Sequence, residues 1–138
     1  MATNTAGAQG QEYHQSMVHY VAKTLTFADD DLVVTIGKIP PTAVVIQVGA
    51  VVTTAFTAGS VVMDLGTSDD PDAFGSALVM TTAGHIRDVS TDPHVANNDY
   101  SATADISIVA SITSGSTITA GSAVVYAMYI FPNPRTAY

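Results

Sequence analysis

The chain has no cysteine and no tryptophan, a single glutamate (Glu12), and only four basic side chains, Lys23, Lys38, Arg87 and Arg135. Each shortage excludes something. Without thiols there is no disulfide framework, no cysteine-ligated metal and no thiolate nucleophile. With four Lys and Arg against twelve acids, for a net charge of −8, the chain lacks the clustered cations that phosphates require, which argues against a nucleic-acid partner. The same deficit argues against an anionic membrane surface. Good helix formers are scarce as well. Charged residues make up 12%, about half the usual share of roughly 25%, and their places are taken by Ala, Thr, Ser and Val. Branched Cβ atoms suit a pleated strand, so composition leans to an all-β fold. The longest apolar run, Ala43–Phe56, is broken by Gln47 and Gly49 and is too short to span a bilayer. Residues Met1–Gln15 lack the basic start and apolar centre of a signal peptide. At 138 residues a single domain is expected, burying roughly two-thirds of its unfolded surface.

Period-two alternation organises what is present. Residues 1–16 are small, polar and aperiodic, and read as a flexible N-terminal arm. His19–Phe27 alternates, with His19, Val21, Lys23, Leu25 and Phe27 on one face and Tyr20, Ala22, Thr24 and Thr26 on the other, and a short helix over Gln11–His19 is the alternative for the stretch before it. Leu32–Ile36 is a strand ending at Gly37, and Ile39–Pro41 predicts an extended corner, because proline restricts the residue before it. Ala43–Thr54 is apolar on both faces, and Gly49 within it suggests a bulge or a close backbone approach. Val61–Gly66, an acidic turn over Thr67–Pro71 and a strand over Ser76–Thr82 form the unit around which the chain is organised. Asp69 or Asp70 is placed to accept a backbone N–H there, with Pro71–Phe74 forming one helical turn. His85–Val89 is a short strand, Ser90–Asp99 a long loop, and Ala102–Thr113 an amphipathic strand in which Val109 is the exception. Ser122–Phe131 is apolar on both sides, and residues 132–138 are a tail. About eight strands with short turns predict an antiparallel β-sandwich of jelly-roll type over 17–131, with a partly closed barrel as the alternative.

Chemistry-bearing patterns are sparse. Asp64, Asp69, Asp70 and Asp72 offer oxygens to a calcium ion, but their spacing departs from the twelve-residue calcium loop. The plainer reading is a solvated turn. His14, His19, His85 and His94 show no metal-ligand spacing. No nucleophile elbow and no phosphate-binding glycine loop occurs. No catalysis, no cofactor and no metal site is therefore expected. Four of the ten aromatics, Tyr126, Tyr129, Phe131 and Tyr138, lie in the last thirteen residues. Aromatic enrichment of that kind suits the buried centre of an interface. The doubly apolar last strand is either central in a sandwich or covered by another subunit. A homodimer is the expected assembly, since two-fold closure is the commonest, with a trimer as the alternative.

The run GSVVMDLGTSDDPDAFGSALVMTTAG, preceded by TAVVIQVGAVVTTAF, resembles small structural proteins of tailed bacteriophages. It is similar to the capsid cement, or decoration, proteins of the short-tailed Bordetella phage type, over about Lys23–Phe131. That resemblance implies a jelly roll, made in the bacterial host cytoplasm, that sits on the outer surface of the virion and bridges major capsid protein subunits. Related patterns in head-fibre and tail-fibre pieces keep a receptor- or glycan-binding module as the alternative. The expected interface residues are Tyr13, His14, Asp69, Asp70, Asp72, Tyr126, Tyr129, Arg135 and Tyr138.

Overall fold

The computed structural model describes residues 17–87, 100–101 and 103–132. The sequence-predicted arm, the Ser90–Asp99 loop and the tail from Asn133 lie outside the described residues. Eight strands are present: β1 (His19–Thr26), β2 (Val33–Ile39), β3 (Val44–Thr54), β4 (Val61–Thr67), β5 (Gly75–Val79), β6 (Gly84–Ile86), β7 (Ile106–Ser114) and β8 (Ser122–Ile130). Phe27–Asp29 is a single 3-10 turn.

The strands form two four-stranded sheets, ordered β1-β8-β3-β6 and β2-β7-β4-β5. All six pairings are antiparallel. The pairs are nested: β1 with β8, β2 with β7, β3 with β6, and β4 with β5. The chain is thus a long hairpin bent at the β4–β5 connection and wound so that alternate pairs fall in opposite sheets. This is the jelly roll, in which the two sheets share one core.

Alternation decides which side chains enter that core. Ala123, Val125 and Ala127 of β8 face inward, as do Val61, Met63 and Leu65 of β4 and Ile106, Ile108, Ala110 and Ile112 of β7. Val109 alternates to the opposite face of β7, yet it too is buried, at 4% exposure, without joining the main cluster. In β3 the inward set is Val45, Val48, Ala50 and Val52. The three-residue step after Val45 is a register shift between Val45 and Gln47. The irregularity therefore falls at Ile46, and Gly49 serves the close-approach reading.

Three local expectations change. Strand β2 runs through Gly37 to Ile39, because the register shifts between Thr35 and Gly37 and Gly37 sits against β1, where a Cβ would lie 2.9 Å from that of Val21. The two prolines make a tight turn, not an extended corner: Ala43 N–H donates to Pro40 O at 3.3 Å, and Thr42 takes φ 71°, the positive φ that a type II turn requires at its third residue. Residues Pro71–Phe74 form turns, not a helical one. Ala73 N–H donates to Asp70 O and Gly75 N–H to Asp72 O, while Phe74 N–H returns to Leu65 O at 2.8 Å.

Candidate interaction surfaces

The two sheets present different outer faces. On the β2-β7-β4-β5 sheet the outward positions of β7 are Ser107, Val109, Ser111 and Thr113, beside Thr35 of β2 and Asp64 of β4. This face mixes hydroxyls and one carboxylate with valines, Val33 and Val79 being exposed and Val79 lying opposite Val62. On the β1-β8-β3-β6 sheet the outward positions of β1 and β8 include Val18, Tyr20, Ala22, Val124, Tyr126 and Met128, which line a shallow apolar groove of about 480 Å³, while Gln47 and His85 lie outward on β3 and β6. Tyr20 stands out from it at 71% exposure, with Met17 and Val18 also exposed at the entrance to β1. No carboxylate occurs among the described outward positions of this sheet.

Tyr126 anchors the polar margin of that face. Gln47 Nε2 donates to its hydroxyl at 2.6 Å, and His85 Nε2 is hydrogen-bonded to the same oxygen at 2.5 Å. Arg87 Nη1 donates to Gln47 Oε1 at 3.4 Å. Gly49 makes the arrangement possible: a Cβ there would lie 2.8 Å from the Tyr126 hydroxyl and 3.0 Å from Ile86 O. With no side chain on β3 at that point, the phenol reaches across to β6.

The acidic turn is built over another glycine. A Cβ on Gly66 would lie 2.1 Å from Asp70 O and 2.3 Å from Pro71 C, so the turn backbone lies directly on the end of β4. Thr67 N–H donates to Asp70 O at 2.8 Å, Asp70 N–H returns to Thr67 Oγ1 at 3.1 Å, and Ser68 N–H donates to Ser107 O at 3.2 Å. At Asp70 N–H the acceptor is the Thr67 hydroxyl. Asp64 points elsewhere. Its Oδ1 accepts Ala77 N–H at 2.7 Å, satisfying a bulge residue that adopts φ 53°. Asp69 and Asp72 are exposed and Asp70 half-buried. Among the described residues, no three carboxylates or imidazoles converge as metal ligands. A polar cleft of about 210 Å³ beside the turn is lined by Ser68, Asp69, Tyr100, Ser101, Asp105 and Ser107, among others.

Tyr129 faces the opposite way from Tyr126. It stacks on His19 at 5.4 Å between centroids and meets Phe131 edge-on at 5.9 Å, partly buried against the core. His19 Nε2 is buried there and has no hydrogen-bond partner among the described residues. The structure therefore places Tyr126 on the open face, Tyr129 in an aromatic group at the margin of the core, and Asp69, Asp70 and Asp72 on the turn. Tyr13, His14, Arg135 and Tyr138 lie outside the described residues. Sequence reasoning passed over Tyr20, Ala22 and Val18, although the alternation of β1 had already put Tyr20 and Ala22 on one face. Asp105 and Tyr100 of the cleft had no local signal, since only the fold brings them beside Asp69.

No family model and no curated protein matches the chain. Solved structures do. A chain of the cyanophage Pam1 capsid asymmetric unit aligns with a TM-score of 0.69 at 15% identity, over 95% of this chain and 94% of that one. A chain of the acid-stable capsid of Helicobacter pylori bacteriophage KHP30 aligns at 0.58 and 19% identity, over 86% and 91%. A chain of the capsid of Ralstonia phage GP4 aligns at 0.61 and 15% identity, over 85% and 84%. The likeness establishes a shared all-β fold across nearly the whole length of each pair.

Proposed function

We propose that this protein is a structural component of a bacteriophage virion that binds the outer surface of the capsid and stabilises it by bridging major capsid protein subunits, without catalysing a reaction. The observation that carries the reading is the end-to-end match to chains of three phage capsids. High coverage in both directions means that the similar capsid chains are themselves small jelly rolls. The resemblance of Lys23–Phe131 to cement proteins supports the reinforcing role. The charge of −8 favours the outer side of a shell over the side facing packaged DNA. Binding across subunit boundaries stabilises the assembled shell by mass action. The capsid contacts are assigned to the acidic turn (Asp69, Asp70, Asp72) and to the two ends of the chain (Tyr13, His14, Arg135, Tyr138). The test is to remove the protein from particles, heat bare and decorated shells in parallel, and follow DNA release. Release at the same temperature from both would refute the reinforcing role.

A second reading has one observation in its favour. The cleft holding Tyr100, Asp69 and Asp105 combines an aromatic ring with hydroxyls and carboxylates, a chemistry suited to a sugar, as in a receptor- or glycan-binding module of a phage fibre. Binding on a glycan array that is lost in Tyr100→Ala would favour it.

A further inference from the structure

The apolar outer face of the β1-β8-β3-β6 sheet is unexplained by core packing. Its residues sit on the far side of the strands from the core, and a jelly roll closes its core without them. We propose that this face is the contact between two copies of this chain related by a two-fold axis, with Tyr20 of each copy seated in the groove over Ala22 of the other. The inference is independent of the capsid assignment, because it concerns the protein alone in solution.

Three features select a second copy as the occupant. The first is charge. Two molecules of net charge −8 repel at most approaches, and this is the sheet face whose described outward positions carry no carboxylate. At the margin of this face stands a cation, Arg87, hydrogen-bonded to Gln47. The second is shape. An isologous contact needs a surface that complements itself, so that residue i meets residue j and j meets i. This face has a largely exposed ring, Tyr20, in an apolar groove that Ala22, Val124 and Met128 also line. A two-fold axis passing near Val21 places each ring in the other copy's groove. The third is size. The strands of this sheet hold eight, nine, eleven and three residues, which at a rise of ~3.4 Å and a spacing of ~4.8 Å give a footprint of roughly 500 Å² before side-chain relief is counted. That approaches the ~800 Å² of accessible surface per partner in a standard interface. Tyr is also among the residues that most often dominate such contacts.

The experiment is the molar mass of the purified full chain by light scattering at tens of micromolar, for wild type and three variants. The wild type is expected to run as a dimer. Tyr20→Asp and Val124→Asp each put two carboxylates, one per copy, into the contact, and are expected to weaken dimerisation by at least about 100-fold, giving monomers at the same concentration. Tyr20 is largely exposed, so the folded monomer should keep its circular dichroism spectrum. Thr113→Asp, outward on the other sheet, is expected to remain dimeric. A wild-type monomer or trimer would overturn the proposal, and so would a dimer that persists in both face variants. A wild-type monomer whose binding to bare shells is abolished by Tyr20→Asp would also overturn it, and would assign the face to the capsid protein.

Discussion

Replacing Gly66 with alanine tests whether the acidic turn is held by close packing on β4. The added Cβ would sit 2.1 Å from Asp70 O, 2.3 Å from Pro71 C and 2.5 Å from Pro71 O, all backbone atoms, where 3.0 Å is the practical limit. The turn must therefore retreat by roughly 1 Å, since backbone cannot rotate aside as a side chain does. Retreat pulls on Asp70 O, which accepts from both Thr67 N–H and Ala73 N–H. Overpacking costs about 1–3 kcal/mol, and loss of one or two of these hydrogen bonds adds about 1 kcal/mol each. The reduced freedom of the unfolded alanine chain returns about 0.5–1 kcal/mol. The net destabilisation is about 1–4.5 kcal/mol, which for a chain of this size lowers Tm by roughly 3–13 °C. Differential scanning calorimetry at matched protomer concentration measures it, with urea unfolding to confirm an unchanged m-value. Gly59→Ala is the control, because a Cβ there meets nothing within 4 Å; its effect should stay within about 0.5 kcal/mol. Gly66→Ala melting within about 1 °C of wild type would refute the packing argument.

Gly121 has φ 144° and a Cβ there would lie 2.4 Å from the ring of buried Phe56, so Gly121→Ala should lose about 2–4 kcal/mol in urea unfolding. Thr42, a β-branched residue at φ 71°, should gain about 0.5–1 kcal/mol as Thr42→Gly, seen as a higher urea midpoint. Tyr126→Phe removes an oxygen bonded to Gln47 and His85 and should cost about 1–2 kcal/mol. Combined with His85→Ala in a double-mutant cycle, it should show a coupling of at least about 0.5 kcal/mol. Ile108→Ala empties a fully buried site between β2 and β4 and should cost about 2–5 kcal/mol by thermal unfolding.

Much of the fold was legible because strands declare themselves locally. The alternation of Ile106, Ile108, Ala110 and Ile112 gave β7 its inward face, and Tyr20 and Ala22 fell on the outward face of β1 as their spacing predicts. Strand order was not legible, because His19 and Tyr129 pair across more than a hundred residues and leave no mark in either neighbourhood. Glycines announced interruption but not its kind. Gly37 and Gly66 read as strand ends, whereas each is where another backbone or side chain comes too near for a Cβ. The Pro40–Pro41 pair misled for a related reason: the local preference of a residue before proline says nothing about Thr42, whose positive φ opposes its own type. At the candidate surfaces, β8 was recognised as apolar on both sides, but the sequence could not separate a central strand from an exposed one. It is central in its sheet and open on its outer face, so each description holds for a different set of side chains.

The nested pairing also sets an order in which the molecule can assemble. Leu65 and Gly75 meet after closing a loop of ten residues, whereas Thr26 and Ser122 must close nearly a hundred, a difference of about 2 kcal/mol in loop entropy. If β4 and β5 join first, each later pair shortens the loop left for the next, so that folding proceeds like a zip fastener from the acidic turn toward the two ends. With most contacts long-range, refolding belongs in the millisecond-to-second range. On this order Gly66→Ala slows folding, while substitutions at Leu25 or Ala123, in the last pair to form, chiefly speed unfolding.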